Sequence, residues 1–125
     1  MTINEAITMA DELKPNMMQT AVKVRFLNEI EGKVHGEIIM THAHEAEAET
    51  CPTYDNDTDP GTVMLVPAPY DMLYVYWLMA QIDQLNMEME KYNNDRALFE
   101  DAWGNFADFW NRKNMPLSAR RFIRI

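Results

Sequence analysis

The sequence predicts an all-α protein: a helical bundle with one very long C-terminal helix or two abutting helices, a long acidic loop, and room in that loop for a short β arm. Two features of the 125 residues predict it. Four glycines and six prolines leave little punctuation for a many-stranded sheet, and the prolines stay out of the two longest periodic segments. In those segments apolar side chains recur at steps of three and four. An apolar content of 47 % is enough for a real core in one domain of this length, 1–125.

The first helix is predicted from Thr2-Ile3-Asn4-Glu5, which has the spacing of a capping box. Ile3, Ala6, Ile7, Ala10 and Leu13 then share a face, and Pro15 ends the helix near Lys14. The second runs from Asn16 to about Met40, with Val22, Phe26, Leu27, Ile30, Val34 and Ile38 in register. Gly32 and Gly36 lie within it. Their four-residue spacing puts them on one side, where another backbone has room to approach, and either is also a point at which the helix could break.

From Thr41 to Pro69 the pattern gives way to small, acidic and turn-forming residues, a loop long enough to predict a functional or mobile segment. Thr62 to Val66 is its candidate strand or extended arm. The strongest pattern follows, from Leu78 through Ile82, Leu85, Met89, Tyr92, Arg96, Phe99, Trp103 and Phe106 to Trp110, with only Arg96 breaking the apolar series. It predicts one helix from Asp71 to about Arg112, about 63 Å long, or two helices abutting at Asn94. A helix of that length outruns the two before it, so part of its apolar surface is expected to meet another chain. Residues 113–125 form a basic, apolar tail.

The net charge is −9, which opposes binding to nucleic-acid phosphates. The charge is uneven: five basic residues and no acid from Arg112 to Ile125, six acids and no base from Glu45 to Asp59. Two different contact surfaces are the expectation. No apolar run approaches the roughly 20 residues that cross a bilayer, so a soluble protein with no membrane contact is expected. The single cysteine, Cys51, fits a reducing cytoplasm.

No enzyme is predicted. His35, His42, His44 and Glu45 are a poor metal set, spaced for no common helical face, and read better as exposed loop histidines. Asp55, Asp57 and Asp59 imitate the start of a calcium loop, but Pro60 stands where the turn needs glycine and Val66 where the bidentate glutamate belongs. A solvated acidic loop is the better reading, with these aspartates as its loop or channel contacts. Glu47 and Glu49 would raise the Cys51 pKa, and no base lowers it. No catalytic residue, metal or cofactor is expected. Glu88, Glu90, Glu100, Asp101 and Asp108 read as the solvated face of the long helix. Tyr76 and Phe109 leave its apolar face and are the candidate intersubunit contacts, beside Arg120, Arg121, Phe122, Ile123, Arg124 and Ile125 of the tail, whose last four residues have strand-forming character suited to docking on a neighbour.

Leu65-Val66-Pro67-Ala68-Pro69-Tyr70-Asp71-Met72-Leu73-Tyr74-Val75-Tyr76-Trp77-Leu78-Met79-Ala80, continuing to Glu88-Met89-Glu90-Lys91-Tyr92-Asn93, resembles the small head-tail connector (adaptor) proteins of tailed phages and prophages. The family has a proline-flanked turn leading into a long helix that begins Tyr-Asp-x-Leu-Tyr. An earlier helix of the family resembles Phe26 to Met40, and the likeness covers roughly residues 22 to 112. It implies a structural virion protein at the head-tail junction, assembled in the host cytoplasm as a homo-oligomeric ring, commonly a dodecamer. The implied partners are the portal protein on one side and a tail-side neck or completion protein on the other. DNA would pass through the ring's channel without sequence-specific binding. The rival expectation is a small helical adaptor or inhibitor that binds a host protein as monomer or dimer.

Overall fold

A computed structural model of the chain describes residues 1–117. They fold into four α-helices, α1 (Ile3–Leu13), α2 (Thr20–Val34), α3 (Met72–Leu85) and α4 (Met89–Lys113), and among them β pairing is limited to two isolated bridges. The all-α class holds. The tail residues Arg120, Arg121, Phe122, Ile123, Arg124 and Ile125 lie outside the described residues.

Helix α1 starts as its capping box requires. Glu5 N donates to Thr2 Oγ1 and Thr2 N to Glu5 Oε1, each at 3.1 Å, and these bonds hold the Glu5 carboxyl below its ordinary pKa. Ile3, Ala6, Ile7 and Ala10 are buried, whereas Leu13 is exposed. Helix α2 begins at Thr20, four residues later than predicted. Asn16 bonds Asp11 Oδ1 and Lys14 O through its amide nitrogen and accepts from Met18 N, which holds this stretch in a turn.

Helix α2 does not break at Gly32 or Gly36. It widens into a π-turn, His35–Ile39, and Met40 N reaches back to His35 O at 2.9 Å. The predicted close approach at the two glycines is also absent: a Cβ at either would meet nothing within 4 Å. Gly32 therefore carries only the backbone-entropy cost of glycine in a helix interior. Gly32→Ala is expected to raise stability by about 0.5–1 kcal/mol, read as a shift in the urea midpoint at unchanged slope.

The 63 Å helix is corrected to a hairpin, and its break lies at Asn86-Met87-Glu88 rather than Asn94. Met87 takes the left-handed conformation, φ 59°. Glu88 N bonds Asp83 O at 2.9 Å and Met87 N bonds Gln84 O at 3.1 Å, the paired closing bonds of a Schellman stop. The usual glycine is missing there, so the apolar phase runs through the turn unmarked. Leu85 and Met89, members of that phase, are more than half exposed at the tip.

Because the chain reverses, α3 and α4 cover each other. Trp77 meets Phe99 at 5.1 Å between ring centroids and Tyr70 meets Phe106 at 6.2 Å. Helix α3 packs against all three other helices and is the centre of the core, with Leu73, Tyr74, Val75 and Leu78 fully buried. Arg96, the odd member of the apolar series, lies over the Trp77 and Phe99 rings and pairs with Glu100 at 2.9 Å. The Thr62–Val66 arm pairs within the chain: Ile3 N bonds Thr62 O and Met64 N bonds Met1 O, while Met64 and Val66 seal the core.

Candidate functional site

The histidines are tethers. His35 Nε2 is 2.6 Å from Ala48 O, His42 Nδ1 is 2.6 Å from Ile38 O, and His44 Nδ1 is 2.7 Å from His42 O. The second His42 nitrogen bonds Asn111 Oδ1. The expectation of exposed loop histidines is thus corrected, since His35 and His42 are buried. The His42 and His44 rings bond carbonyls where the chain leaves the π-turn, and His35 reaches across to the 46–49 turn, jobs invisible in a loop composition. No group of three His, Cys, Asp or Glu suited to a metal occurs among the described residues.

Asp55, Asp57 and Asp59 are all exposed. Asp55 Oδ1 accepts from Asp57 N at 2.8 Å and Asp59 Oδ1 from Gly61 N at 2.9 Å, so both shape Asx-type turns. Cys51 is half-buried, and its thiol is pushed up by burial first and by Glu31 second; Glu47 and Glu49, named from the sequence, are not the cause. Of the five carboxylates assigned to the solvated face, Glu90, Glu100, Asp101 and Asp108 are exposed and Glu88 is half-buried.

Tyr76 and Phe109 are both half-buried against the core. Phe109 stacks on Tyr70 at 4.7 Å with a 26° interplanar angle, an intramolecular contact that leaves it half-buried. Tyr76 sits in a shallow groove across the outer face of the α3–α4 hairpin, with Tyr70, Met72, Leu98, Asp101 and Asn105. Leu98 is 45 % exposed there, and only Asp95, Phe99 and Phe106 of the 25 residues of α4 are buried. This face has the mixture of an aromatic, aliphatics and a carboxylate that suits a protein contact.

Two clusters of buried charge escaped sequence reading. In the first, Glu31 is fully buried and accepts three bonds: Tyr54 Oη at 2.6 Å and Leu65 N at 2.9 Å on Oε2, Tyr74 Oη at 2.5 Å on Oε1. Tyr74 Oη in turn accepts from Val66 N at 2.9 Å. Burial and the adjacent carboxylate push both phenols far above their ordinary range. The cluster binds α2, the 41–71 segment and α3 at a single carboxylate. In the second, Lys14 Nζ lies 2.9 Å from both Asp83 Oδ1 and Asp95 Oδ2, tying the end of α1 to both limbs of the hairpin. The sequence signal existed in each case. Glu31 interrupts the face Leu27, Ile30, Val34, and Asp83 follows Ile82 in the most apolar helix.

The arrangement offers structural carboxylates and open surfaces; Thr41 Oγ1 lies 3.1 Å from His42 Nδ1, but the hydroxyl also donates to the Glu37 and Ile38 carbonyls and that nitrogen is 2.6 Å from Ile38 O. Among the described residues no helix is long and apolar enough to cross a membrane. Compared with family models, with curated proteins and with solved structures, the chain matches none.

Proposed function

We propose that this protein is a structural subunit of the head-tail joint of a tailed phage, forming a ring between the portal protein and a tail-side neck protein. The observation that carries the reading is the passage Leu65–Asp71. There a proline-flanked turn, closed by Tyr70 N on Pro67 O at 3.0 Å, delivers the chain to α3, as the resemblance implies for the turn, although α3 is 14 residues long rather than the long helix it implies. In support, the outer face of the hairpin is left uncovered around Tyr76 and Leu98, and a ring supplies the neighbour that covers it.

In this reading the 25-residue α4 belongs to the ring wall. The exposed Asp57 and Asp59 of the 41–69 loop face the channel, where like charge keeps passing DNA from sticking. The work is mechanical and electrostatic, and the virion is its place.

The test is solution mass by light scattering over a range of concentration, with and without a portal protein encoded beside it. A large closed ring, alone or on adding portal, is the expected result. A monomer or dimer indifferent to portal would instead support a helical adaptor that binds a host protein.

A further inference from the structure

Between α1 and the first turns of α2 lies a groove of about 290 Å³, closed on one side by the 55–60 turn. Ile3, Ile7 and Val24 form its apolar floor, Asp11 and Asp55 stand on its rim, and no basic side chain lines it. Asp11 is matched by Lys23 at 2.7 Å, while Asp55 pairs with no cation among the described residues. The groove asks for a ligand that is extended, apolar along one side and positively charged.

The chain carries such a segment in residues 118–125, Ser-Ala-Arg-Arg-Phe-Ile-Arg-Ile, which holds three arginines, three large apolar residues and no acid. We propose that the groove receives residues 118–125 of a second copy; this rests on the ring reading above and names the contact that links its subunits. Apolar side chains of the segment meet the Ile3, Ile7, Val24 floor, and its arginines meet Asp55 on the rim. Together they combine the hydrophobic and electrostatic parts of a peptide-in-groove contact.

Reach decides between a neighbour's segment and the chain's own. Leu117 N is fixed to Thr41 O at 2.9 Å, and Pro116 bridges His42, so the segment starts beyond the C-terminal end of the helix that opens at Thr20. The groove lies at the other end of that helix, beside Thr20 and Val24. About twenty helical residues separate the two, or roughly 25–30 Å. Eight extended residues span about 26 Å. A chain's own segment therefore arrives with its last residue at best and cannot lie along the floor, whereas a neighbour's can enter from the open side.

Disulfide trapping tests this on the full-length chain. In a Cys51→Ser background, Thr8→Cys places a thiol on the exposed side of the groove and Ile123→Cys one in the segment. With an added copper-phenanthroline oxidant, the double variant is expected to give an interchain ladder on non-reducing gels. Adding Asn4→Arg, an exposed change on the same stretch of α1, should cut the ladder several-fold by charge repulsion. A monomer closed on itself, or no crosslink at high protein concentration, would overturn the proposal. Light scattering on the same samples keeps the two ideas apart. Rings without the Thr8–Ile123 crosslink sink the groove and spare the ring, and a ladder of short, open oligomers that never close sinks the ring and spares the groove.

Discussion

Glu31→Ala is expected to remove about 3 kcal/mol or more of stability. The carboxylate is fully buried and collects three donors, Tyr54 Oη, Tyr74 Oη and Leu65 N. Alanine leaves all three without an acceptor in the core. Each stranded donor costs about 1–3 kcal/mol, offset in part by no longer burying an ionised group. Glu31→Gln should cost less, because one oxygen still accepts and only one donor meets an amide nitrogen. Tyr74→Phe should lie between them, since it also strands Val66 N. Urea unfolding followed by tryptophan fluorescence gives the order, and a Glu31→Ala midpoint equal to the wild type would show that the cluster bears no load.

The same cluster fixes an alkaline limit. Both phenols are held protonated in the folded protein well above the ordinary tyrosine value of 10.0. A raised folded pKa contributes stability that is whole below the unfolded value and lost as pH rises beyond it. Each phenol thus removes about 1.4 kcal/mol per pH unit above pH 10. Alkaline unfolding should accordingly be steep, and shallower by one proton in Tyr54→Phe.

Helix identity was legible in the sequence because period and capping are local. Thr2 and Glu5 stand three residues apart and bond each other, and Pro15 stops the helix they start. The hairpin was not legible, because its stop signal is a backbone conformation adopted by Met87, a residue with no preference for it. Apolar phase carried through that turn is ambiguous between one long helix and two that fold back. Burial of Glu31, Asp83 and Asp95 was hidden for another reason. A carboxylate on a helix reads as solvated until its partners are known, and those partners are 23 to 43 residues away for the two tyrosines of Glu31. The ring beneath Phe109 is Tyr70, a pairing that only the chain reversal creates.

Asp83→Asn is expected to stabilise the protein at neutral pH and to do almost nothing in acid. Asp83 and Asp95 share one ammonium, Lys14, with side-chain exposures of 1 % and 8 %. Asp95 Oδ2 lies close to Lys14 Nζ but out of hydrogen-bond alignment, and Asp83 Oδ2 accepts no hydrogen bond among the described residues. With both carboxyls ionised the cluster buries an excess negative charge. Burial first, then the bond to Asp95, pushes Asp83 up to about 6, and Lys14 pulls only partly the other way. The folded state therefore binds a proton that the unfolded chain, near 3.8, has already released. Stability from this group is complete below pH 3.8 and drains away as pH rises to about 6, a loss of up to about 3 kcal/mol. Asparagine keeps the oxygen for Lys14, offers Asp95 a donor and never ionises. The wild-type and Asp83→Asn curves should therefore converge near pH 4 and separate by about 1–3 kcal/mol at pH 7.5, with the variant on top. Their difference is the quantity to measure, because other carboxylates bend both curves alike. Lys14→Met supplies the opposite sign: two buried carboxyls left without a cation should lower stability by about 3 kcal/mol or more at pH 7.5. Parallel curves for wild type and Asp83→Asn from pH 4 to 8 would mean that the pair is open to water, and that α1 is held to the hairpin by its apolar face alone.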